Sequence, residues 1–94
     1  MKKIIVTGGN GFIGSNLVKF LIKKKFFVIN IDKNKYSNNS YLLKNVSKKN
    51  YKFFKLDINS KKLIKILLIY KPDAIFNLAA ETHVDRSIDS PKDF

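Results

Sequence analysis

Three glycines and one carboxylate near the start of the chain have the residue types and spacing that bind a dinucleotide. Gly8, Gly11 and Gly14 follow an apolar β-branched run, and Asp32 comes roughly twenty residues further on. In such a unit Gly8 permits a tight turn, Gly11 lets the backbone approach a diphosphate, and Gly14 lets a helix pack close to the sheet. The diphosphate would bind N–H groups at the helix start, and Asp32 would accept hydrogen bonds from the adenosine ribose.

The glycine spacing departs from the commonest dinucleotide fingerprint. The chain reads G-x-x-G-x-x-G rather than G-x-G-x-x-G, although Gly9 makes the difference smaller. An ordinary strand-to-helix turn that binds no phosphate is the alternative. The order strand, turn, helix, strand and Asp32 favours the nucleotide site.

Further candidate residues follow the third and fourth predicted strands, whose carboxyl ends should face the same crevice. Asp57 and Ile58 would contact the adenine; the alternative is that Asp57 only starts the turn into the next helix. The small side chains after the fourth strand would let a ribose and a nicotinamide lie against the backbone. These candidates are Leu78, Ala79 and Ala80. The polar residues that follow them, Glu81 and Thr82, are candidates as well.

The elements that must position these residues alternate along the chain. The apolar patterns predict strands over about 2–7, 26–31, 51–56 and 74–79, and helices over about 12–24 and 60–70, with a polar segment over 33–50. This alternation predicts an α/β fold of the Rossmann type, a doubly wound parallel sheet of which about four strands are the N-terminal portion.

Finer expectations concern the ends and faces of the two helices. The three lysines at 23–25 should lie in the last turn of the first helix. Asn59 or Ser60 should cap the second helix. Its buried side should carry Leu63, Ile64, Leu67 and Leu68.

Composition excludes several function classes. The chain has 94 residues, 45% of them apolar, with no cysteine and a single histidine, so a disulfide framework, a zinc cluster and a histidine-rich metal site are not expected. No signal peptide or membrane-spanning run is visible, which makes the cytoplasm the default location. The net charge is +12, but Arg86 is the one arginine, so the lysines indicate a solvated surface rather than a nucleic-acid site.

Four segments together resemble the dTDP-glucose 4,6-dehydratase family, within the NAD-dependent epimerase/dehydratase group of the extended short-chain dehydrogenases/reductases. They are TGGNGFIG, VINIDKNKYS, LDI and KPDAIFNLAAETHVDRSI. The first is shared by many nucleotide-sugar epimerases, dehydratases and decarboxylases, whereas LAAETHVDRSI points to the hexose dehydratases. Thr82 stands where a serine is more usual, a change that keeps the hydroxyl.

The resemblance implies a role in NAD binding for individual residues. Phe12 and Ile13 would contact the diphosphate through their backbone. Asp32 would favour NAD over NADP, and the next three residues, Lys33, Asn34 and Lys35, would border the ribose. Asp57 and Ile58 would flank the adenine, residues 78–82 would line the nicotinamide, and Thr82 would also touch the sugar of the substrate.

The resemblance also implies an activity. Such an enzyme uses NAD to oxidise dTDP-glucose at C4, removes water across C5–C6 and returns the hydride to C6, which gives dTDP-4-dehydro-6-deoxyglucose. The Y-x-x-x-K pair and the acid/base carboxylates of this family are expected beyond residue 94. We therefore expect residues 1–94 to be the N-terminal part of an NAD-binding domain, inactive alone, from an enzyme that is a homodimer at full length. The alternatives are a stand-alone NAD-binding module and part of another nucleotide-sugar epimerase or decarboxylase.

Overall fold

The computed structural model describes residues 2–33, 43–44 and 46–79. These residues form four strands, two α-helices and one short 3-10 helix, Lys48–Asn50. The strands and α-helices are β1 (Lys3–Thr7), α1 (Phe12–Lys23), β2 (Phe27–Asp32), β3 (Tyr51–Lys55), α2 (Lys62–Tyr70) and β4 (Ala74–Asn77). All six predicted elements are confirmed, with ends that differ by one or two residues.

The strands form one parallel sheet with the order β3-β2-β1-β4. The chain first builds outwards from β1 through β2 to β3, and then crosses to the other side of β1 to form β4. The carboxyl ends of β1 and β4 therefore enclose the crevice at which the winding reverses, which is where open α/β sheets bind ligands.

In the part of the chain that the structure describes, each face of the sheet is covered by one α-helix. On one face α1 packs Val18, Leu21 and Ile22 against alternate residues of β1 and β2, including Val6. On the other face α2 packs Ile66 against a second set, including Ile29. The predicted doubly wound arrangement is confirmed, and it explains why β1 and β2 read as nearly continuous apolar runs.

The buried side of α2 was predicted only in part. Leu63 and Leu67 pack against the sheet as expected, together with Ile66. Ile64 and Leu68 were predicted to be buried, and this was wrong: they are 60% and 68% exposed. The segment KLIKILLIY carries apolar side chains on all sides, so its spacing did not select one face.

The helix ends also differ in detail from the expectation. The side-chain oxygen of Ser60 accepts a hydrogen bond from the N–H of Lys62 at 3.1 Å, although Ser60 lies one residue before the cap position. Lys23 alone of the three lysines lies in the last turn of α1. Lys25 lies beyond the helix with φ +72°, in the left-handed region.

No helix among the described residues combines the length and the apolar character needed to span a membrane.

Candidate functional site

The turn between β1 and α1 depends on Gly8 for two reasons. Its φ is +75°, a conformation that side chains with a Cβ rarely adopt. A Cβ at this position would also lie 2.8 Å from the main-chain Cα and N of Ala79. The turn is fixed from the other side by a hydrogen bond of 2.8 Å from the Gly8 N–H to the carbonyl oxygen of Ile31.

Gly14 and Gly11 differ in what surrounds them. A Cβ on Gly14 would collide with the main chain of Gly8 and Gly9, so the close approach that we predicted between helix and sheet is made to the glycine turn itself. A Cβ on Gly11 would meet one atom, the carbonyl oxygen of Gly8 at 3.5 Å, and would otherwise point into open space. The chain therefore keeps a clear space beside Gly11 that packing does not explain.

That space adjoins the start of α1. Gly11 is the N-cap residue and provides no capping side chain, so the N–H groups of Phe12, Ile13 and Gly14 have no acceptor within the helix. A helix start with unpaired N–H groups carries partial positive charge and suits an anion.

A cleft of about 380 Å³ lies at this end of α1. It is lined by six residues that the sequence assigned to the dinucleotide: Gly8, Gly11, Phe12, Ile13, Gly14 and Leu78. The side chains of Phe12 and Ile13 are 65% and 70% exposed. The structure thus brings the glycine turn and the end of β4 around one space.

The end of β4 is held against the turn by Thr7. The Thr7 hydroxyl donates to the side-chain oxygen of Asn77 at 2.5 Å and accepts the N–H of Ala79 at 3.3 Å. The Thr7 carbonyl oxygen accepts the N–H of Leu78 at 3.0 Å. Thr7 and Asn77 were not singled out from the sequence, yet they position Leu78 and Ala79.

Asp32 is the last residue of β2 and contacts the glycine turn. Its Oδ2 accepts a hydrogen bond of 3.0 Å from the main-chain N–H of Asn10. Lys33 follows directly at the same edge of the sheet. The candidate ribose carboxylate therefore lies beside the turn that would hold the diphosphate.

Asp57 makes the contacts of a turn residue. Its Oδ1 accepts the N–H of Asn59 at 2.9 Å, and its carbonyl oxygen accepts the N–H of Ser60 at 2.8 Å. These bonds match the alternative in which Asp57 starts the turn into α2. Ile58 beside it is half-buried. The remaining candidates, Asn34, Lys35, Ala80, Glu81 and Thr82, lie outside the described residues.

A buried polar network beneath the turn was missed at the level of sequence. The Asn30 side chain in β2 is fully buried, and its Nδ2 donates to Asn10 Oδ1 at 3.0 Å and to the Tyr51 hydroxyl at 2.9 Å. We call Asn10, Asn30 and Tyr51 the Asn30 network. An asparagine in the middle of the apolar strand FVINID was the signal that could have revealed it.

The phenol of Tyr51 is held in its neutral form by this environment. Burial is the largest effect and raises its pKa above the ordinary 10.0. The hydrogen bond from Asn30 opposes this shift, and the charge of Asp32 adds to it.

Tyr51 and Lys55 have the Y-x-x-x-K spacing that the resemblance associates with catalysis, but they do not form such a pair. Both lie in β3, where four residues span about 13 Å. On a helix the same spacing would bring the side chains together. Among residues 2–33, 43–44 and 46–79, no group of three or more potential ligands is placed to hold a metal ion.

Comparison with known proteins supports the resemblance. The chain is 48% identical over 97 aligned residues to the dTDP-glucose 4,6-dehydratase of Haemophilus influenzae, an alignment that covers 100% of this chain and 29% of that protein. The crystal structure of dTDP-glucose 4,6-dehydratase from Bacillus anthracis in complex with NAD matches 89% of this chain and 28% of its own, with a TM-score of 0.77 and 35% identity. The chain thus spans less than a third of the length of these relatives.

A relative of a different activity has the same fold. The UDP-glucose 4-epimerase of Thermotoga maritima, solved with UDP-glucose, matches 97% of this chain and 28% of its own, with a TM-score of 0.70 and 30% identity. The model of the family described as GDP-mannose 4,6 dehydratase matches residues 5–94. Since that match takes in nearly the whole chain, this protein belongs to the GDP-mannose 4,6 dehydratase family.

Proposed function

We propose that this chain binds NAD, with the diphosphate over the glycine turn and the start of α1. The observation that carries the proposal is the cleft of about 380 Å³ beside Gly11, where a Cβ would point into open space and the first N–H groups of α1 have no acceptor within the helix. A diphosphate supplies the acceptors and the negative charge that this position favours.

Other parts of the dinucleotide have matching groups at the same edge of the sheet. Asp32 contacts the turn through the N–H of Asn10, and its carboxylate would also accept hydrogen bonds from the adenosine ribose. A carboxylate there favours NAD over NADP, because it would repel a 2′-phosphate. The main chain of Leu78 and Ala79, directly after β4, lies on the other side, where the nicotinamide would lie.

We further propose that the chain is the cofactor-binding section of a dTDP-glucose 4,6-dehydratase. The 48% identity to the dTDP-glucose 4,6-dehydratase of Haemophilus influenzae, over the whole of this chain, and the segment LAAETHVDRSI support dTDP-glucose as the substrate. Bound NAD would supply the hydride chemistry of such an enzyme, which is oxidation at C4 of the glucose and return of the hydride to C6. The residues of this chain bind and orient the cofactor, and their cysteine-free composition suits a reducing cytoplasm.

A homodimer and the acid/base groups belong to the full-length enzyme in this proposal. We expect the 94-residue chain to form no 4-keto sugar from dTDP-glucose and NAD, since we assign none of its residues to proton transfer. Product above background would contradict this expectation.

Calorimetric titration of the chain with NAD tests the proposal. We expect binding by the wild-type chain and its loss in Gly11→Val, because the isopropyl group would fill the diphosphate space. Lys19→Val is the matched control, since it places the same side chain on an exposed position of α1, about two turns away. Equal NAD affinity in the wild type and Gly11→Val would contradict the proposal, provided that Gly11→Val folds as judged by circular dichroism.

A further inference from the structure

Asn30 is a polar residue at the centre of the sheet. It lies in β2 between Val6 of β1 and Phe53 of β3, and its side chain has no exposed surface. An amide in this environment loses its hydration, which costs free energy unless hydrogen bonds replace it. An apolar side chain would pack here without that cost, so the fold alone does not account for the residue.

The contacts of the Asn30 amide are directed towards the glycine turn. Its Nδ2 donates to Asn10 Oδ1 in the turn and to the hydroxyl of Tyr51 on the neighbouring strand. Its Oδ1 is buried and has no hydrogen-bond partner among the described residues. A Cβ on Gly9 would collide with that oxygen, so residue 9 has no room for a side chain in this arrangement.

Asn10 connects the amide to the conformation of the turn. Its side chain is bonded to Asn30, and its main-chain N–H is bonded to Asp32. One residue of the turn is therefore tied to two positions of β2. Gly11, the N-cap of α1, comes next in the chain, so the position of Asn10 affects where the first N–H groups of α1 lie.

We propose that Asn30 is a positioning residue for the diphosphate, which acts through Asn10 and never touches the ligand. This rests on the proposed function, since it presupposes a diphosphate over the turn. Tyr51 holds the amide in the orientation in which its Nδ2 faces Asn10. The network sets the affinity for the part of the ligand that contacts the turn, and leaves the adenosine end unaffected.

The test compares ligands that contain the diphosphate with one that lacks it. Asn10→Ala removes the acceptor in the turn but keeps the main-chain N–H that bonds to Asp32. Tyr51→Phe removes one hydroxyl from the network. Tyr70→Phe is the matched control, because Tyr70 packs with Phe27 and Phe54 on the α2 face of the sheet. Each full chain is titrated with NAD, ADP and adenosine, and binding is followed by amide chemical shifts.

We expect Asn10→Ala and Tyr51→Phe to lower the affinity for NAD and ADP by about three- to tenfold, which is the effect of one neutral hydrogen bond. The affinity for adenosine should fall by less than about twofold. Tyr70→Phe should leave all three affinities unchanged. A loss shared equally by ADP and adenosine, or no loss of ADP affinity, would overturn the positioning role while NAD binding stands. A wild-type chain that binds neither NAD nor ADP would overturn the proposed function and this inference together.

Discussion

The main-chain N–H of Asn10 donates a hydrogen bond of 3.0 Å to Oδ2 of Asp32, and so joins the glycine turn to the carboxyl end of β2. The carboxylate that we assign to the adenosine ribose is therefore also an acceptor for the turn that we assign to the diphosphate. The two halves of the proposed dinucleotide site share one side chain.

Replacement of this carboxylate should weaken NAD binding. Asp32→Ala removes a charged acceptor for the ribose hydroxyls, which should make NAD binding less favourable by about 1–3 kcal/mol. Asp32→Asn keeps one side-chain oxygen as an acceptor and should lose less affinity for NAD. Calorimetry with NAD measures both variants, and an unchanged affinity in Asp32→Ala would exclude the ribose role.

Gly8 and Gly11 should differ in how strongly their replacement by alanine destabilises the fold. Gly8→Ala should lower the free energy of unfolding by about 2 kcal/mol or more, because the new Cβ meets positive φ and the main chain of Ala79. Gly11→Ala should change it by less than about 1 kcal/mol, since this φ of −76° suits alanine and the space is open. Urea unfolding measures the difference; equal losses in the two variants would contradict the described turn.

The end of α1 offers a stabilising substitution. Lys25 follows the helix with φ +72°, and its N–H bonds to the Ile22 carbonyl oxygen at 2.9 Å in the manner of a Schellman turn. Lys25→Gly should raise the free energy of unfolding by about 1 kcal/mol, because glycine adopts this conformation without strain. Lys23→Gly, inside the helix, is the matched control and should lower it by about 1 kcal/mol. If Lys25→Gly lowered the free energy of unfolding, the left-handed backbone conformation of residue 25 would be contradicted.

Ionisation of Tyr51 should make the free energy of unfolding depend on pH in the alkaline range. Its pKa is raised in the folded chain above 10.0 by burial, despite the opposing hydrogen bond from Asn30, so the folded state keeps this proton longer than the unfolded state does. The stabilisation is complete below about pH 10 and is lost as the pH rises through the folded pKa. The difference in unfolding free energy between the wild type and Tyr51→Phe should therefore stay constant below about pH 10 and fall as the pH rises above it. A difference that also stays constant above about pH 10 would contradict the burial of the phenol.

The sequence contained enough information to predict the strands, the helices and the glycine turn. The runs in β1 and β2 are apolar and β-branched, and Gly8 marks the first turn, so local pattern and global fold agree there. The face of α2 could not be predicted, because KLIKILLIY is apolar on all sides and only the sheet selects Ile66.

The polar contacts around the site depend on tertiary structure. Thr7 and Asn77 are seventy residues apart, and their hydrogen bond exists only because β1 and β4 are neighbours. The Asn30 network likewise joins three separate segments. The asparagine in β2 signalled that a partner was needed but did not identify Asn10 or Tyr51.

The most direct test of the account follows the amide ¹H–¹⁵N signals of the chain during titration with NAD. We predict that the largest shifts occur at Gly11, Phe12, Ile13 and Gly14, whose N–H groups adjoin the diphosphate space, with small shifts along α2. Saturable shifts confined to α2, or a spectrum that NAD leaves unchanged, would contradict the binding of a diphosphate at the start of α1.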